Sequence, residues 1–272
     1  MNRPVNMLLA LTRELSPAIA HCELTHLERE AIDVGLARVQ HAAYEACLRD
    51  AGCRVERLAA GADMPDAVFI EDTAVVFDEV AIITHPGAAS RRAETTAVAD
   101  ALRKYRPLHR LESPATADGG DVLVVGHQVL VGRSNRTNDA GIDEMRRVLA
   151  PFGYQVTAID VRGCLHLKSA ATAVGDDLLL INRAWLPSWP SLSGPFASFD
   201  RVEVDPNEPS AANALRVGDR IIYPTSFPHT LERLRRRGLN VATVDASEVA
   251  KAEGAVTCCS LILGIKSLEP ER

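Results

Sequence analysis

Three features are missing from this chain of 272 residues: an excess of basic residues, a long hydrophobic run and a Cys-X-X-Cys pair. The formal net charge is −6, which argues against nucleic-acid binding because phosphate recognition needs a concentrated basic face. The densest basic run, Arg233 with Arg235 to Arg237, fits an exposed helix that ends at Gly238. We therefore expect no nucleic-acid partner.

Membrane association is not expected either. The apolar run over residues 5–11 is too short to cross a bilayer and is followed by Arg13 and Glu14, so neither a transmembrane helix nor a signal peptide is predicted. The six cysteines form no zinc-binding pairs, and a chain of this length needs no disulfides, so we expect free thiols in the cytoplasm. No long linker interrupts the chain, which indicates one domain over residues 1–272.

One stretch lacks positive charge altogether. No basic residue occurs between Leu58 and Thr84, yet Asp66, Glu71 and Asp72 lie there in an apolar segment that we predict to be a strand. An ionised carboxylate buried without a partner costs several kcal/mol or has its pKa raised. A cation must therefore come from arginine or lysine on a neighbouring strand, or from a ligand, and the sequence leaves both possibilities open.

The most regular positive feature is an apolar run, a tight polar turn and a second apolar run, a pattern typical of a β-hairpin. It occurs four times, with turns at residues 78–79, 126–127, 175–177 and 218–219. The turns recur at intervals of roughly 45 residues, in the range of propellers and stacked arrays. Helices are predicted over residues 92–105, 141–150 and 229–237, and a longer one over 25–49 that opens with a capping box, while residues 185–199 read as an irregular connection.

Two further apolar strands are predicted near the ends of the chain, over residues 7–11 and 259–264. Pairing them would add a fifth unit and close a ring, which would hide the sheet edges that an open array exposes. A doubly wound sheet is the competing architecture, but it requires single strands alternating with helices rather than hairpins. We therefore expect an α/β fold of five hairpin-containing units.

Three segments place reactive side chains before or at the start of a predicted strand, around Asp118, His166 and Cys258. In a ring of repeats the equivalent strand ends converge near one axis, so these residues can meet in one pocket. Cysteine, histidine and aspartate are the parts of a thiol nucleophile, a general acid/base and a group that orients the imidazole. Each residue has a structural interpretation when taken alone, and the coincidence of all three favours catalysis.

Two arginines, Arg91 and Arg136, follow directly after the first and second predicted hairpins. A guanidinium matches a carboxylate with two parallel hydrogen bonds, so a pair of arginines suits the anionic end of a substrate. The alternative is that they neutralise Glu71 and Asp72. If they bind a ligand, that ligand is cationic at one end and anionic at the other.

Several motifs together resemble the dimethylarginine dimethylaminohydrolase family over most of the chain. They are residues 64–76 (MPDAVFIEDTAVV), 86–92 (PGAASRR), 118–123 (DGGDVL), 136–138 (RTN), 165–169 (LHLKS) and 257–260 (TCCS). This family belongs to the guanidine-modifying, or pentein, superfamily, and the resemblance implies a five-bladed α/β propeller of ββαβ-type units with pseudo-fivefold symmetry. By resemblance Cys258 is the nucleophile, His166 the general acid/base and Asp118 the carboxylate that orients it.

The resemblance also implies a set of substrate-binding positions: Leu24, Asp66, Glu71, Asp72, Arg91, Arg136 and Ala252. The acidic pair would lie at the guanidinium side of the pocket, with Asp66 nearby at the substrate's polar groups. The two arginines would clamp the substrate carboxylate. Leu24 and Ala252 would contact the amino-acid end through their backbones.

The implied activity is hydrolysis of methylated arginine to citrulline and an amine through a covalent thiouronium intermediate, without metal or organic cofactor. Zinc bound by the thiol and imidazole would inhibit. Arginine deiminases of the same superfamily place an acid two residues after the histidine, where this chain has Lys168, which favours the methylated substrate. The alternatives are a deiminase or amidinohydrolase for another arginine derivative, or a catalytically silent binding protein for cationic amino acids. A monomer or a homodimer is expected.

Two local questions remain open at this level. Cys259 is an alternative nucleophile, and we prefer Cys258 because adjacent strand residues point to opposite faces and only one of them can enter the pocket. Residues 21–27 are the candidate for a lid over the site, because Leu24 falls there by resemblance.

Overall fold

Fifteen strands form five three-stranded sheets in the part of the chain that the computed structural model describes, residues 6–187, 189, 196 and 199–266. The strands are β1 Asn6–Arg13, β2 Cys53–Leu58, β3 Ala74–Val76, β4 Ala81–Ile83, β5 Leu108–Arg110, β6 Val122–Val125, β7 Gln128–Arg133, β8 Gln155–Asp160, β9 Ala171–Ala173, β10 Leu178–Ile181, β11 Asp200–Glu203, β12 Leu215–Val217, β13 Arg220–Pro224, β14 Asn240–Val244 and β15 Leu261–Lys266. The α-helices are α1 Val34–Asp50, α2 Thr95–Leu102, α3 Asp139–Leu149, α4 Leu167–Ala170, α5 Pro228–Arg236 and α6 Ser247–Ala250.

Every sheet has the same internal plan: an antiparallel pair of strands, a hairpin in four of the five sheets, whose second strand pairs in parallel with a third. We call the sheets blades 1 to 4 (β3–β5, β6–β8, β9–β11 and β12–β14) and the closing blade (β15, β1 and β2). The connection to the third strand is a crossover, which parallel pairing requires, and α2, α3 and α5 supply it in blades 1, 2 and 4. All four predicted hairpins are confirmed.

The closing blade joins the two ends of the described chain. β15 pairs antiparallel with β1 from Asn6↔Lys266 to Leu11↔Leu261, and β2 pairs in parallel with β1 after the crossover through α1. Fully buried side chains such as Leu9, Leu11 and Ile83 pack this blade against blade 1. The predicted fifth unit is therefore confirmed, and the doubly wound alternative is excluded.

The helix predicted over residues 25–49 begins nine residues too early. Helix α1 starts at Val34, where the Asp33 side chain accepts a hydrogen bond from the backbone N–H of Leu36 at 2.9 Å. The backbone N–H groups of residues 25–27 donate instead to the carboxylate of Glu253, so they are not available to a helical turn. The other three predicted helices are present with shorter or slightly shifted bounds. Of the predicted irregular connection, residues 188, 190–195 and 197–198 lie outside the described chain.

Two segments predicted as strands are turns. Ile70–Thr73, which carries Glu71 and Asp72, forms a 3-10 helix in which the Thr73 hydroxyl donates to the carbonyl of Ile70 at 2.7 Å, and β3 begins only at Ala74. Likewise Cys258 and Cys259 lie in a turn, and β15 begins at Leu261. Short turns before a strand let consecutive side chains diverge at angles that a strand does not permit. No helix in the described ranges has the length and apolar character to cross a membrane.

Candidate active site

Five polar residues precede the first strands of the five blades. Asp72 stands before β3, Asp118 before β6, His166 before β9, Asn213 before β12 and Cys258 before β15. Because the blades repeat one plan around a ring, equivalent strand ends approach one another. The fold therefore collects at one place residues that are far apart in the chain.

One pocket contains eight of the ten positions predicted as site residues. Its lining includes Asp66, Asp72, Arg91, Asp118, Arg136, His166, Ala252 and Cys258, together with Glu23, Phe69, Leu165, Glu253 and Gly254. The other two predicted positions lie beside it. Glu71 turns away from the pocket toward Lys168, and Leu24 is half-buried next to Glu23.

His166 is held between two carboxylates. Its Nε2 lies 3.1 Å from Oδ2 of Asp118, and its Nδ1 lies 3.8 Å from Oδ1 of Asp72. Burial lowers the pKa of His166, but Asp72, Asp118 and Asp121 outweigh it and raise that pKa from 6.5 to about 9. The imidazole is therefore protonated at neutral pH and holds a proton inside the pocket.

Asp118 is itself fixed from behind. Its Oδ1 accepts a hydrogen bond from the backbone N–H of Gly87 at 3.0 Å, and its own N–H donates to the hydroxyl of Thr137 at 3.2 Å. The side chain is fully buried. Asp118 thus faces His166 with one oxygen and is anchored by the other, the arrangement that sets the orientation of an imidazole.

The two glycines that follow Asp118 permit this close packing. A Cβ atom at Gly120 would lie 2.7 Å from Nδ1 of His166 and 2.8 Å from Oδ1 of Asp72. A Cβ at Gly119 would lie 2.0 Å from the carbonyl oxygen of Glu71. Without a Cβ, Gly120 comes close enough for its backbone N–H to donate a hydrogen bond to Asp72 at 3.0 Å. Only glycine lets this loop touch both the imidazole and the acidic segment.

The two adjacent cysteines have different surroundings. Cys258 lines the pocket, and its carbonyl accepts the backbone N–H of Glu71 at 3.0 Å. Burial, Glu71 and Asp72 raise the pKa of its thiol to about 12. Cys259 lies on the opposite side, where its Sγ is 3.6 Å from the carbonyl oxygen of Ala255 and it lines a small cavity with Tyr44. Only Cys258 is placed beside His166, although the turn, rather than strand alternation, separates the two thiols.

The acidic pair finds cations within the chain. Nη1 of Arg91 lies 2.5 Å from Oδ2 of Asp72, and Nζ of Lys168 lies 2.6 Å from Oε1 of Glu71. Burial raises the pKa of Asp72, but His166 and Arg91 outweigh it and the net shift is downward. Burial raises the pKa of Glu71, and Lys168 offsets only part of that effect. The sequence left open whether the positive charge comes from neighbouring side chains or from a ligand. In this structure side chains of the chain itself face both carboxylates.

At the other end of the pocket, Asp66 and Arg136 contact the segment around Leu24. The Asp66 carboxylate accepts the backbone N–H of Glu23 at 3.1 Å, and Nη2 of Arg136 donates to the hydroxyl of Thr25 at 3.1 Å. Burial raises the pKa of Asp66. This end therefore combines a carboxylate and a guanidinium, which suits a zwitterionic amino-acid group.

Sequence reasoning missed several residues that build the site. Asn213 donates to Thr257 at 2.9 Å, and Thr257 donates to Glu71 at 2.8 Å. Asp121, fully buried, accepts the backbone N–H of Leu167 at 2.9 Å and so fixes the residue next to His166. The position of Asn213 two residues before β12 was a usable signal, because it matches that of Asp72 before β3.

Asp72, Asp118 and His166 offer ligand atoms that lie within 4.8 Å of one another, close enough to hold a metal ion. The chemistry of the donors opposes such a site. His166 carries a raised pKa of about 9, and Asp72 is already paired with Arg91. A metal ion must displace that proton and that guanidinium, so inhibition by zinc at this pocket stays a prediction.

Comparison with known proteins gives consistent matches. A family profile described as "N,N dimethylarginine dimethylhydrolase, eukaryotic" matches residues 20–188. N(G),N(G)-dimethylarginine dimethylaminohydrolase of Streptomyces coelicolor is 42% identical over 255 residues, covering 93% of this chain and 96% of the relative. The protein of the same name from Pseudomonas aeruginosa is 34% identical over 231 residues, covering 84% and 89%. A solved structure of DDAH from Pseudomonas aeruginosa, a cysteine-to-serine mutant complexed with citrulline, has a TM-score of 0.86 at 31% identity and covers 93% of this chain and 98% of that one.

Proposed function

Since this chain belongs to the dimethylarginine dimethylaminohydrolase family of the pentein superfamily, we propose that it hydrolyses Nω-methylated arginines to citrulline and methylamine or dimethylamine. The observation that carries the proposal is the single pocket in which Asp72, Asp118, His166 and Cys258 meet from four different blades. The citrulline in the complex of the Pseudomonas aeruginosa relative is the product this reaction requires.

The first half of the reaction forms a covalent intermediate. A methylated arginine brings a positive charge next to Cys258, which counteracts the effect of Glu71 and Asp72 and lowers the thiol pKa from its raised value. The thiol releases its proton to solvent, and the resulting thiolate attacks the central guanidinium carbon. His166, protonated at neutral pH, gives its proton to the departing methylated nitrogen, the C–N bond breaks, and an S-alkylthiouronium remains on Cys258.

The second half consumes water. His166, now neutral, takes a proton from a water molecule that attacks the same carbon. The C–S bond breaks, the sulfur recovers a proton, and the carbon keeps the oxygen as the ureido group of citrulline. Asp118 and Asp72 stabilise the imidazolium on either side of the ring in both halves.

Substrate recognition is proposed at the positions that resemblance assigns. Asp72 faces the guanidinium, and Glu71 lies next to it in the same segment with its carboxylate turned toward Lys168. Asp66, Arg136, Leu24 and Ala252 surround the amino-acid end. Arg91 completes the carboxylate clamp with Arg136 in this proposal, although it also pairs with Asp72 and Glu94. The clamp is supported by the lining of the pocket, which includes both arginines.

Steady-state release of citrulline from asymmetric dimethylarginine, monomethylarginine and arginine tests the proposal. We expect turnover of both methylated substrates, arginine as the poorest, and loss of activity in Cys258→Ser with activity retained in Cys259→Ser. Preference for arginine would replace the proposal with a deiminase. Tight binding of methylarginine without turnover would indicate a silent binding protein, and activity of the Cys258→Ser variant would disprove the assigned nucleophile.

A further inference from the structure

A short segment at the mouth of the pocket, residues 23–27, is attached to distant parts of the chain at four points, one of which is the 2.6 Å hydrogen bond from the Ser90 hydroxyl to the Glu23 carboxylate. We call it the lid segment. Asp66 accepts the backbone N–H of Glu23, Arg136 donates to the Thr25 hydroxyl, and Glu253 accepts from the lid backbone. Residues 23 and 25–27 are solvent-exposed, so water can replace these partners and the segment is able to open.

Glu253 makes the densest of these attachments. Its Oε1 lies 2.7 Å from the backbone nitrogen of Leu27, and its carboxylate also accepts the N–H groups of His26 and, at 3.0 Å, Thr25. Three consecutive N–H groups converging on one carboxylate form an anion-binding concavity of the kind seen at backbone nests. Charge-assisted hydrogen bonds of this type are stronger than neutral ones.

The backbone conformation at Glu253 is unusual and sets the direction of its side chain. Glu253 has φ of +57°, the left-handed conformation, and it is the one non-glycine residue with positive φ in the described chain. Glycine or asparagine is usual there, because other side chains are strained. The following Gly254 packs so tightly on Phe69 that a Cβ would lie 2.1 Å from its ring, which fixes the local path. A strained glutamate in place of glycine indicates a role for its carboxylate.

We propose that Glu253 is a positioning residue that holds the lid segment over the amino-acid end of the substrate, an inference that rests on the proposed function. Asp66 and Arg136 are assigned to the substrate's charged groups, so a bound substrate competes with the lid segment for hydrogen bonds to these two side chains. Glu253 keeps its three lid contacts independent of that competition. It closes the pocket without touching the reacting carbon, and its loss weakens binding more than chemistry.

Hydrogen exchange and kinetics of Glu253→Ala, Glu253→Gln and the control Glu30→Ala test this inference. Glu30 is exposed on the same connection and makes no hydrogen bond among those found in the described chain. In Glu253→Ala we expect about tenfold faster exchange in a peptide covering residues 23–28, a KM for dimethylarginine raised about tenfold and kcat changed less than about threefold. Glu253→Gln, which keeps an acceptor oxygen, should lie between, and Glu30→Ala should match the parent protein.

The outcomes separate the inference from the proposed function. Unchanged lid exchange in Glu253→Ala, or faster exchange with unchanged KM, would overturn the positioning role. Equally faster exchange in β6 and β7 would show a general structural role and would also overturn it. If the parent protein does not turn over methylarginines, the proposed function fails and with it the substrate role of the lid, while the exchange data still decide whether Glu253 holds the segment.

Discussion

Arg91 and Asp72 form a buried ion pair, with Nη1 of the guanidinium 2.5 Å from Oδ2 of the carboxylate. Arg91 also donates to Glu94 at 2.8 Å and to the carbonyl oxygen of Phe69 at 2.9 Å. Burial lowers the pKa of Arg91, but Asp72 and Glu94 outweigh it and raise that pKa well above its ordinary value. One side chain thus joins the acidic segment of the site to the start of α2.

Arg91 and Arg136, the two arginines of the proposed carboxylate clamp, should therefore differ in their effect on stability. Arg91→Ala leaves buried carboxylates unpaired, so we expect it to lower the free energy of unfolding by about 3 kcal/mol or more. The Arg136 side chain is half-buried and contacts the exposed Thr25, so Arg136→Ala should cost less than about 1 kcal/mol while raising KM. Urea unfolding and steady-state kinetics of both variants measure this contrast, and equal stability losses would contradict it.

His166 should titrate far above its ordinary range. Its folded pKa of about 9 against 6.5 means that its contribution to stability is complete below pH 6.5 and is lost as the pH rises through 9. NMR titration of the imidazole in Cys258→Ser measures the pKa directly. Adding Asp72→Asn removes the largest effect that raises it, so the midpoint should move down by about one pH unit or more. A midpoint unaffected by Asp72→Asn would refute the electrostatic origin of the shift.

Lys168 should matter for stability in a pH-dependent way. Lys168→Met removes the ammonium 2.6 Å from Glu71, whose pKa burial already raises. A carboxylate with a folded pKa raised above its unfolded value loses stability as the pH rises through that folded pKa. The variant should therefore be less stable by about 3 kcal/mol at pH 8 and by less at pH 5.

The matched control for that experiment is the double variant Lys168→Met with Glu71→Gln. It removes both charges, so urea unfolding should show most of the stability restored and no added pH dependence between pH 5 and 8. A single variant equally destabilised at both pH values would show that Lys168 acts through packing of its aliphatic stem rather than through its charge.

Gly120→Ala should disable the site while the fold survives. Its Cβ would press on Nδ1 of His166 and Oδ1 of Asp72, so either the imidazole or the loop must shift by several tenths of an ångström. We expect kcat/KM to fall by about 100-fold. The control is Gly264→Ala in β15, where a Cβ has nothing within 4 Å. Circular dichroism and kinetics of both variants report the outcome, and full activity of Gly120→Ala would contradict the observed packing.

Hairpins were predictable because their information is local. The alternation of apolar residues around turns such as Gly126 and Gly218, both with positive φ, specifies β6–β7 and β12–β13 without reference to the rest of the chain. The failure of the capping box at Thr25 to start a helix was not predictable, because the group that accepts the backbone N–H of Thr25, the Glu253 carboxylate, is 228 residues away in sequence. A local helix-start pattern fails to predict a helix where a distant side chain accepts hydrogen bonds from the same backbone N–H groups.

The members of the site were predictable, but their pairings were not. Motifs placed Asp118, His166 and Cys258 before strands, and the ring brings them together. Which cation faces which acid depends on where long side chains reach in the folded chain: Arg91 contacts Asp72 of its own blade, whereas Lys168 reaches Glu71 from another blade and had no signal in the sequence. Predicting a strand over Asp66–Asp72 failed because the chain turns there twice: the N–H of Phe69 donates to the carbonyl of Asp66 at 2.9 Å, and the Thr73 hydroxyl donates to the carbonyl of Ile70 at 2.7 Å.

The closing blade has a consequence for biosynthesis. Strand β15 pairs with β1, from Asn6↔Lys266 to Leu11↔Leu261. The sheet that positions Cys258 is therefore complete only when strands from the two ends of the described chain have paired. Blades 1 to 4, which carry Asp72, Asp118 and His166, are built from residues that lie between β2 and β15 in the sequence, so their pairing does not depend on the strand that fixes Cys258. Cys258 therefore joins the acid/base residues only after β15 has paired with β1, and proteolytic loss of β15 would remove the strand that holds the thiol in the site.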